Sequence, residues 1–405
     1  MLATLLGAAL LINYVDRGTV SIAAPLLERE LGLTAGQLGW LLSAFFWAYV
    51  ASQPLMGWLT DRLGAARVLA AGFTLWSCAT VLTGLSAGIA GLVAARLLMG
   101  VGESVTYPSA LALLAQRVTD RHRARATSLL QLGGVAGPAL GTFLGGLIMV
   151  RYGWRAMFVG LGLASLLWLI PWSRQSGRTS EGESSTHSPA PEARRSDAGP
   201  SFGAILGQRA LWGAMVGNFC SNYAFYFVFT SLPLYLVHER GLSLLAMTHV
   251  TSGLYALDAV SVLTTGWLLD AWIRRGATAN RAYKTALTLS AAGVGVCLLA
   301  TSGAGLGGAL VLLLATGIMD GLNSPSVCSL VQHFAGPLAT GRWMGVQNAA
   351  SNLSGVVAPL VTGYLAEATG RYTAGLWVAG VVALLGVGAW LIVVPAVRPV
   401  DWNRA

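Results

Sequence analysis

Long apolar stretches constrain this sequence more than any other feature. A helix that crosses a bilayer needs about 20 mostly apolar residues, and twelve stretches of the 405-residue chain reach that length. Only 10% of the residues are charged and 55% are hydrophobic, whereas soluble domains carry about 25% charged residues. We therefore predict an integral membrane protein. The predicted spans cover residues 2–27, 35–60, 66–86, 89–116, 124–149, 154–172, 209–237, 245–269, 281–301, 305–332, 342–366 and 372–396.

The spans form two groups of six, separated by a polar segment at residues 173–208. That segment is rich in serine and charged residues and contains three prolines, a composition that cannot build a hydrophobic core. We predict an N-terminal six-helix half at 1–172, a cytoplasmic linker at 173–208, and a C-terminal half with a short cytoplasmic tail at 209–405.

The basic residues are distributed unevenly over the loops. Eighteen of the 25 lysines and arginines fall on one side of the membrane if both termini are cytoplasmic, as the positive-inside rule expects. We predict a multi-pass monomer of the inner membrane, with both termini in the cytoplasm and the lipid bilayer around it. The net charge of +9 is spread over short loops, so no nucleic-acid partner is expected.

The two halves repeat each other in sequence. The run GWLTDR that begins at Gly57 recurs as GWLLD from Gly266, and Glu103 has a counterpart in Asp320. Two halves related by duplication place a substrate site between them, near the midplane of the bilayer.

The loop after the second span resembles a signature of the major facilitator superfamily. It reads GWLTDRLGAAR from Gly57 to Arg67, and with the twelve-span plan the resemblance covers essentially the whole chain. The resemblance implies an all-α membrane protein with twelve transmembrane helices in two pseudo-symmetric halves. It also implies a gating role, in which Asp61 faces a helix N-terminus and Arg62 and Arg67 pair with nearby acids. The alternative is a solvated turn with a helix cap; Asp270 repeats the acid in the second half.

Ionisable residues inside the predicted spans are the strongest functional signal. An acid and a base side by side, Asp16 and Arg17, are costly to bury in an apolar helix and rarely lack a task. Unlike Glu103, neither has a charged counterpart in the repeat. Asp258 is either a second proton site or an acceptor for substrate hydroxyl groups, and a purely structural role for Asp320 stays open.

The superfamily resemblance makes helices 1 and 4 neighbours, and so it implies a cluster of Asp16, Arg17, Arg96 and Glu103. Two acids and two bases balance, as a site of low dielectric constant requires. The predicted chemistry is the binding of an organic anion to Arg17, because a guanidinium fork suits a carboxylate, coupled to protonation of Asp16 or Glu103. The alternative is a static ion-pair network.

Three motifs resemble more specifically the anion:cation symporter family, which includes bacterial sugar-acid transporters and vesicular organic-anion carriers. They read NYVDR from Asn13, FWAY from Phe46 and ARLLMGVGE from Ala95. The resemblance implies that Asp16 and Glu103 are protonation sites, that Arg17 anchors the anion, and that Arg96 is the partner of Glu103.

The same resemblance implies the residues that contact substrate. Tyr14 and Tyr49 would line the site, and Asn352 on helix 11 would make a polar contact. On helix 5, where sugar-acid carriers have a glutamine, this sequence has Gly134, and Gln131 one turn earlier is the candidate substitute.

Glycines recur every four residues on helix 5, at Gly133, Gly137, Gly141 and Gly145 around Pro138. Such spacing favours close helix packing. It also resembles the glycine-proline motif of proton-coupled drug exporters, but symporters of the anion family carry similar glycines, so the motif discriminates poorly between functions.

We predict a secondary active transporter that moves a small organic anion, a sugar acid or another monocarboxylate, together with protons by alternating access. A proton-antiport exporter of organic compounds is the main alternative. A transporter-like solute sensor is disfavoured, because the linker and the tail are too short for an output domain. Enzymatic function is not expected, since the sequence carries no Ser/His/Asp or metal-binding pattern. We expect no metal and no cofactor, with the proton as coupling ion.

Overall fold

The computed structural model describes residues 1–118, 120–175 and 200–402, except for the side chains of residues 61, 115, 120–125, 337 and 338. Most of the predicted linker, residues 176–199, lies outside the described residues. Within them the chain is helical apart from short turns. The helices are α1 (Leu2–Leu31), α2 (Ala35–Leu63), α3 (Ala65–Leu85), α4 (Ile89–Glu103), α5 (Thr106–Arg117), α6 (Asp120–Leu166), α7 (Phe202–Leu206), α8 (Arg209–Thr230), α9 (Leu232–His238), α10 (Leu244–Arg274), α11 (Ala279–Gly303), α12 (Leu306–Asp320), α13 (Asn323–Thr369) and α14 (Thr373–Gly388), which continues into a π-helical turn at Ala389–Val393.

Two helices each contain parts of two predicted spans. α6 holds the fifth span and most of the sixth, and α13 holds the end of the tenth and the whole eleventh. In each, one glycine has a non-helical conformation, Gly153 with φ 82° and Gly336 with φ 63°. A positive φ is accessible to glycine because it has no Cβ. These glycines therefore mark the boundaries between the predicted spans.

By length and apolar composition alone, eight helices in the described ranges could cross a membrane. α1 is not among them although it is 30 residues long. Its apolar course is interrupted at the centre by Asn13, Asp16 and Arg17. The same residues that carry the functional signal thus weaken the signal for a membrane span.

The described residues cluster into two compact units. The first comprises the described part of Met1–Pro189 with Thr230–Ser252 and Ala366–Gly370. The second comprises the described part of Ala190–Phe229, Gly253–Leu365 and Arg371–Ala405. The division into halves at residues 172 and 209 stays a prediction.

In the first unit, α1 and α6 pack with their backbones in close contact. A Cβ atom added to Gly133 would collide with the carbonyl oxygen of Gly7. One added to Gly137 would lie 2.5 Å from the Cβ of Tyr14, and one added to Gly141 would lie 2.6 Å from the Cα of Val15. The packing role predicted for these glycines is confirmed, and it brings the central turns of α1 against α6.

We predict that Gly141→Ala destabilises the protein, because overpacking of a close contact costs about 1–3 kcal/mol. The matched control is Gly160→Ala in the same helix, where an added Cβ has no neighbour within 4 Å. Thermal unfolding of the purified protein in detergent measures both. Equal melting temperatures for the two variants would contradict the assigned helix contact.

Candidate functional site

The site is built around the side chain of Arg17, which is 4% exposed. Its Nε and Nη2 donate hydrogen bonds of 3.0 Å and 2.9 Å to one oxygen of Glu103, Oε2. Nη2 also donates to the Oδ1 of Asn13, one helical turn earlier, at 3.1 Å. Glu103 is itself buried. The two charges neutralise each other across α1 and α4, as predicted for neighbouring helices.

Three aromatic rings surround the Arg17 guanidinium. Its Cζ lies 4.7 Å from the ring centroid of Tyr14, 4.8 Å from that of Phe45 and 4.8 Å from that of Tyr49. A cation over an aromatic face is stabilised by the ring quadrupole, most strongly where water is excluded. The arginine is therefore held by α1 and α2 as well as by the carboxylate on α4.

Glu103 is the last residue of α4, immediately before a break in the helix. The turn at Ser104 and Val105 separates α4 from α5. Ser52 on α2 donates a hydrogen bond of 3.0 Å to the Ser104 hydroxyl, and Asn13 on α1 donates a longer one of 3.4 Å to Thr106. These contacts fix the broken helix against α1 and α2, and so fix the position of the carboxylate.

Asp16 is separated from the Arg17 cluster although the two residues are adjacent in sequence. It is 0% exposed, and its Oδ2 accepts a hydrogen bond of 3.4 Å from Ser165 on the α6 side. Oδ1 has no hydrogen-bond partner within 3.5 Å among the described residues, and the indole N–H of Trp76 lies near this carboxyl group. Consecutive residues of a helix point about 100° apart. Asp16 and Arg17 therefore do not simply neutralise each other.

Arg96 also differs from the prediction, because the ion-pair partner of Glu103 is Arg17. Arg96 is 2% exposed; its Nη1 donates to the sulfur of Met99 at 3.2 Å, and its Cζ lies 4.9 Å from the Phe45 centroid. Arg96 and Glu103 are two turns apart on one helix, about 10 Å in rise. An arginine on the facing helix reaches the carboxylate more directly.

On α6, the position of Gly134 faces the site, whereas the predicted substitute Gln131 does not. A Cβ added to Gly134 would lie 3.4 Å from the Tyr14 ring and 3.6 Å from the hydroxyl of Tyr107, so this position faces the site. Gln131 is exposed. Tyr107, Phe45 and the bridging amide of Asn13 were not among the predicted site residues, and only Asn13 lies within one of the three family motifs.

Asn352 belongs to a polar network in the second unit. Its Oδ1 accepts a hydrogen bond of 2.8 Å from the hydroxyl of Tyr226, and its Nδ2 donates to the carbonyl oxygen of Asn348 at 2.9 Å. Asn218 on α8 also donates to Ser351 on α13 at 2.6 Å. The predicted contact residue is thus held between α8 and α13.

The two unassigned acids, Asp258 on α10 and Asp320 on α12, line one small cavity in the second unit. Tyr255 and Thr316 line it as well. The hydroxyl of Tyr255 donates to the carbonyl oxygen of Val228 at 3.4 Å. The structure therefore brings together two acids that the sequence treats separately.

Comparison with known proteins identifies the family. The family profile of the Major Facilitator Superfamily matches residues 6–337.

The chain belongs to this superfamily.

Among its relatives, a "probable sulfoacetate transporter" of Cupriavidus necator is 31% identical, over 93% of this chain and 89% of the relative. The D-galactonate transporter of Escherichia coli is 26% identical, over 96% of this chain and 94% of the relative. The structure of a bacterial homologue of the lysosomal transporter Spinster superposes with a TM-score of 0.81 at 16% identity, covering 98% and 97% of the two chains.

Membership confirms the predicted architecture of twelve transmembrane helices. The relatives named as anion transporters confirm the resemblance to anion:cation symporters. The protein is a membrane transporter and not an enzyme. The superfamily loop lies at the end of α2 and the start of α3. A Cβ added to Gly57 would have no neighbour within 4 Å, and Arg62 lies over the ring of Trp58 at 4.7 Å.

Arg67 and Asp270 are exposed, and the side chain of Asp61 lies outside the described residues. The gating role of these loop residues stays a prediction.

We predict a large coupling energy between Arg17 and Glu103. Breaking a buried ion pair by removing one partner costs about 3–5 kcal/mol, so Arg17→Gln and Glu103→Gln should each destabilise the protein strongly. The double variant should cost much less than the sum. Equilibrium unfolding in mixed micelles measures the double-mutant cycle.

The matched control for this cycle is the exposed pair of Arg155 and Glu30, joined at 2.9 Å. Exposed pairs contribute below about 1 kcal/mol. Additive effects at Arg17 and Glu103, similar to those at the exposed pair, would contradict the assigned interaction.

Proposed function

We propose that this transporter moves a small organic anion together with protons, by alternating access between the two sides of the membrane. The observation that carries the proposal is the buried Arg17 guanidinium with a carboxylate as its acceptor. Two donors of the guanidinium converge on one oxygen of Glu103. A site that holds an internal carboxylate in this way has the chemistry needed to hold the carboxylate of a substrate.

Glu103 and the substrate anion compete for Arg17. While Glu103 is charged, it occupies Nε and Nη2, and an incoming anion would face its negative charge at close range. Protonation of Glu103 removes that charge and weakens its hold on the guanidinium. Anion binding and proton uptake are thereby linked, and each favours the other. An inward proton would supply roughly 2.3 kcal/mol per 100 mV of membrane potential.

Asp16 is the second protonation site of the proposal. Among the described residues Asp16 has one long hydrogen bond and no ion-pair partner, and a buried carboxylate in such surroundings is costly to maintain in its charged form. Its Oδ1 has no hydrogen-bond partner in the described structure and is the atom available to take a proton. Arg17 then holds the anion, while Asp16 and Glu103 carry protons.

The proposed substrate is a small carboxylate such as a sugar acid or a related monocarboxylate. Relatives are named as transporters of D-galactonate, hexuronate and sulfoacetate, which supports an organic anion. The phenol rings of Tyr14 and Tyr49 around Arg17 suit a ligand with both apolar and hydroxyl-bearing parts. Gln131 and Asn352 remain proposed contacts. We further propose a monomer in the inner membrane with cytoplasmic termini and no cofactor besides the proton.

The exporter alternative loses its main support in the sequence. The glycine-proline run that resembles drug exporters is accounted for by the contact between α6 and α1, where Gly137 and Gly141 admit no Cβ. A close helix contact serves any transporter of this fold.

Uptake into proteoliposomes tests the proposal. We expect an inward proton gradient to stimulate uptake of at least one radiolabelled anion from a panel of D-galactonate, a hexuronate and sulfoacetate. Glu103→Gln and Asp16→Asn should each abolish the stimulation, because each removes a titratable carboxyl group. Glu30→Gln, which alters an exposed acid of the same unit, is the control. Inhibition of uptake by the gradient would instead support proton antiport, and gradient-driven uptake that survives Asp16→Asn would refute the assigned coupling.

We also predict that Arg17→Lys raises the KM for the anion at least tenfold. Lysine keeps the charge but lacks the planar fork that binds a carboxylate through two donors. Initial rates of uptake over a range of substrate concentrations give KM and the maximal rate. An unchanged KM would show that the anion makes no two-donor contact with this side chain.

A further inference from the structure

Two groups of opposite charge, two helical turns apart on α4, do not meet. The second carboxylate oxygen of Glu103, Oε1, is buried without a hydrogen-bond partner among the described residues, and so is the Nε of Arg96. Both side chains are almost fully buried. An unsatisfied donor and an unsatisfied acceptor of opposite charge normally pair when both are excluded from water. Pairing would require the Arg96 side chain to leave its present contacts and extend toward Glu103, about 10 Å further along the rise of α4.

The ring of Phe45 is one of those contacts. Both guanidinium groups lie over it, Arg17 at 4.8 Å and Arg96 at 4.9 Å from its centroid. Arg17 has two further rings and a carboxylate, whereas Arg96 has Phe45 and the Met99 sulfur. The ring is thus a principal contact of the Arg96 charge.

Phe45 is itself held rigidly on α2. It is fully buried, stacks on Tyr49 at 5.4 Å between centroids, and meets Phe46 edge-on at 5.0 Å. Side chains packed in this way have little freedom to leave their position. The ring can therefore act as a fixed contact for the Arg96 guanidinium.

We propose that Phe45 is a positioning residue for proton coupling: its ring retains the Arg96 guanidinium and keeps it off Oε1 of Glu103. Oε1 is thereby left as the carboxylate oxygen that accepts the proton. The inference deepens the proposed function and rests on it, because it assigns the atom at which the coupling proton of that cycle is bound.

The charged and titratable groups around Glu103 define what the proton responds to. The Glu103 carboxylate contacts the guanidinium of Arg17, whereas the guanidinium of Arg96 is retained by the Phe45 ring. If the second also bound the carboxylate, the charged form would be favoured and a more acid medium would be needed to protonate it. The groups concerned are Arg17 and Asp16 from α1, Tyr49 from α2, Arg96 from α4, and, beside Arg17, Tyr14 from α1 and Tyr107 from α5.

Infrared difference spectroscopy of the purified protein tests the proposal without requiring transport. The band of the protonated carboxyl group that disappears in Glu103→Gln reports on Glu103, and its intensity is followed against pH. We expect Phe45→Leu to move the midpoint of this titration about one pH unit to the acid side, a tenfold change in proton affinity. Phe45→Tyr, which keeps the ring, should titrate like the wild type, as should Phe158→Leu, a buried phenylalanine near Trp154.

A second replacement guards against misfolding of the leucine variant. Pentafluorophenylalanine at position 45 keeps the shape of the ring but removes the attraction for cations, and it should shift the midpoint in the same direction. In the double variant Phe45→Leu with Arg96→Met, the shift caused by the leucine should vanish, because the arginine that reaches Oε1 is absent.

Each outcome bears on the proposal. An unchanged midpoint in both Phe45 replacements, an equal shift in Phe158→Leu, or a shift that persists without Arg96 would overturn it. Proton coupling itself is tested separately by uptake. Wild-type uptake that ignores the proton gradient, together with the expected infrared shifts, would refute the proposed transport cycle and leave the role of the ring intact.

Discussion

A guanidinium group inside a membrane protein must find its acceptors within the protein, and the first unit is arranged to supply them to Arg17. The carboxylate comes from α4, an amide oxygen from the preceding turn of α1, and aromatic faces from α1 and α2. No single helix could provide this set. The broken helix at Ser104, the hydroxyl contact to Ser52 and the close packing of α6 on α1 all serve to keep these groups in place.

The sequence predicted much of this architecture because apolar length, glycine spacing and basic-residue bias are local signals. It also predicted that Arg17 and Glu103 share a site, from a motif on each of two helices. It did not predict that Glu103 pairs with Arg17 and not with Arg96, because partner choice depends on side-chain reach across a helix interface. For the same reason the separation of Asp16 from Arg17 was not evident: their adjacency in sequence suggests contact, while the helical turn points them apart.

Phe45 shows a second limit of reasoning from sequence. A phenylalanine in an apolar span is indistinguishable from any other core residue by composition or spacing. The importance of Phe45 arises from the two guanidinium groups that the tertiary structure places over its ring. Conversely, the fold is shared with a solved transporter at 16% identity, so the helical frame tolerates wide variation. What distinguishes one member from another is held by a few side chains that such a frame positions.

The glycine contact between α1 and α6 has a mechanical consequence. At Gly133 and Gly141 the backbones of α6 and α1 are in direct contact, with no side chain between them. If α1 rotated about its own axis by one residue, bulky side chains would be driven into the backbone of α6. We therefore expect α1 and α6 to move together as one rigid body. The charges on α1 can be carried to a new environment only by moving that body as a whole.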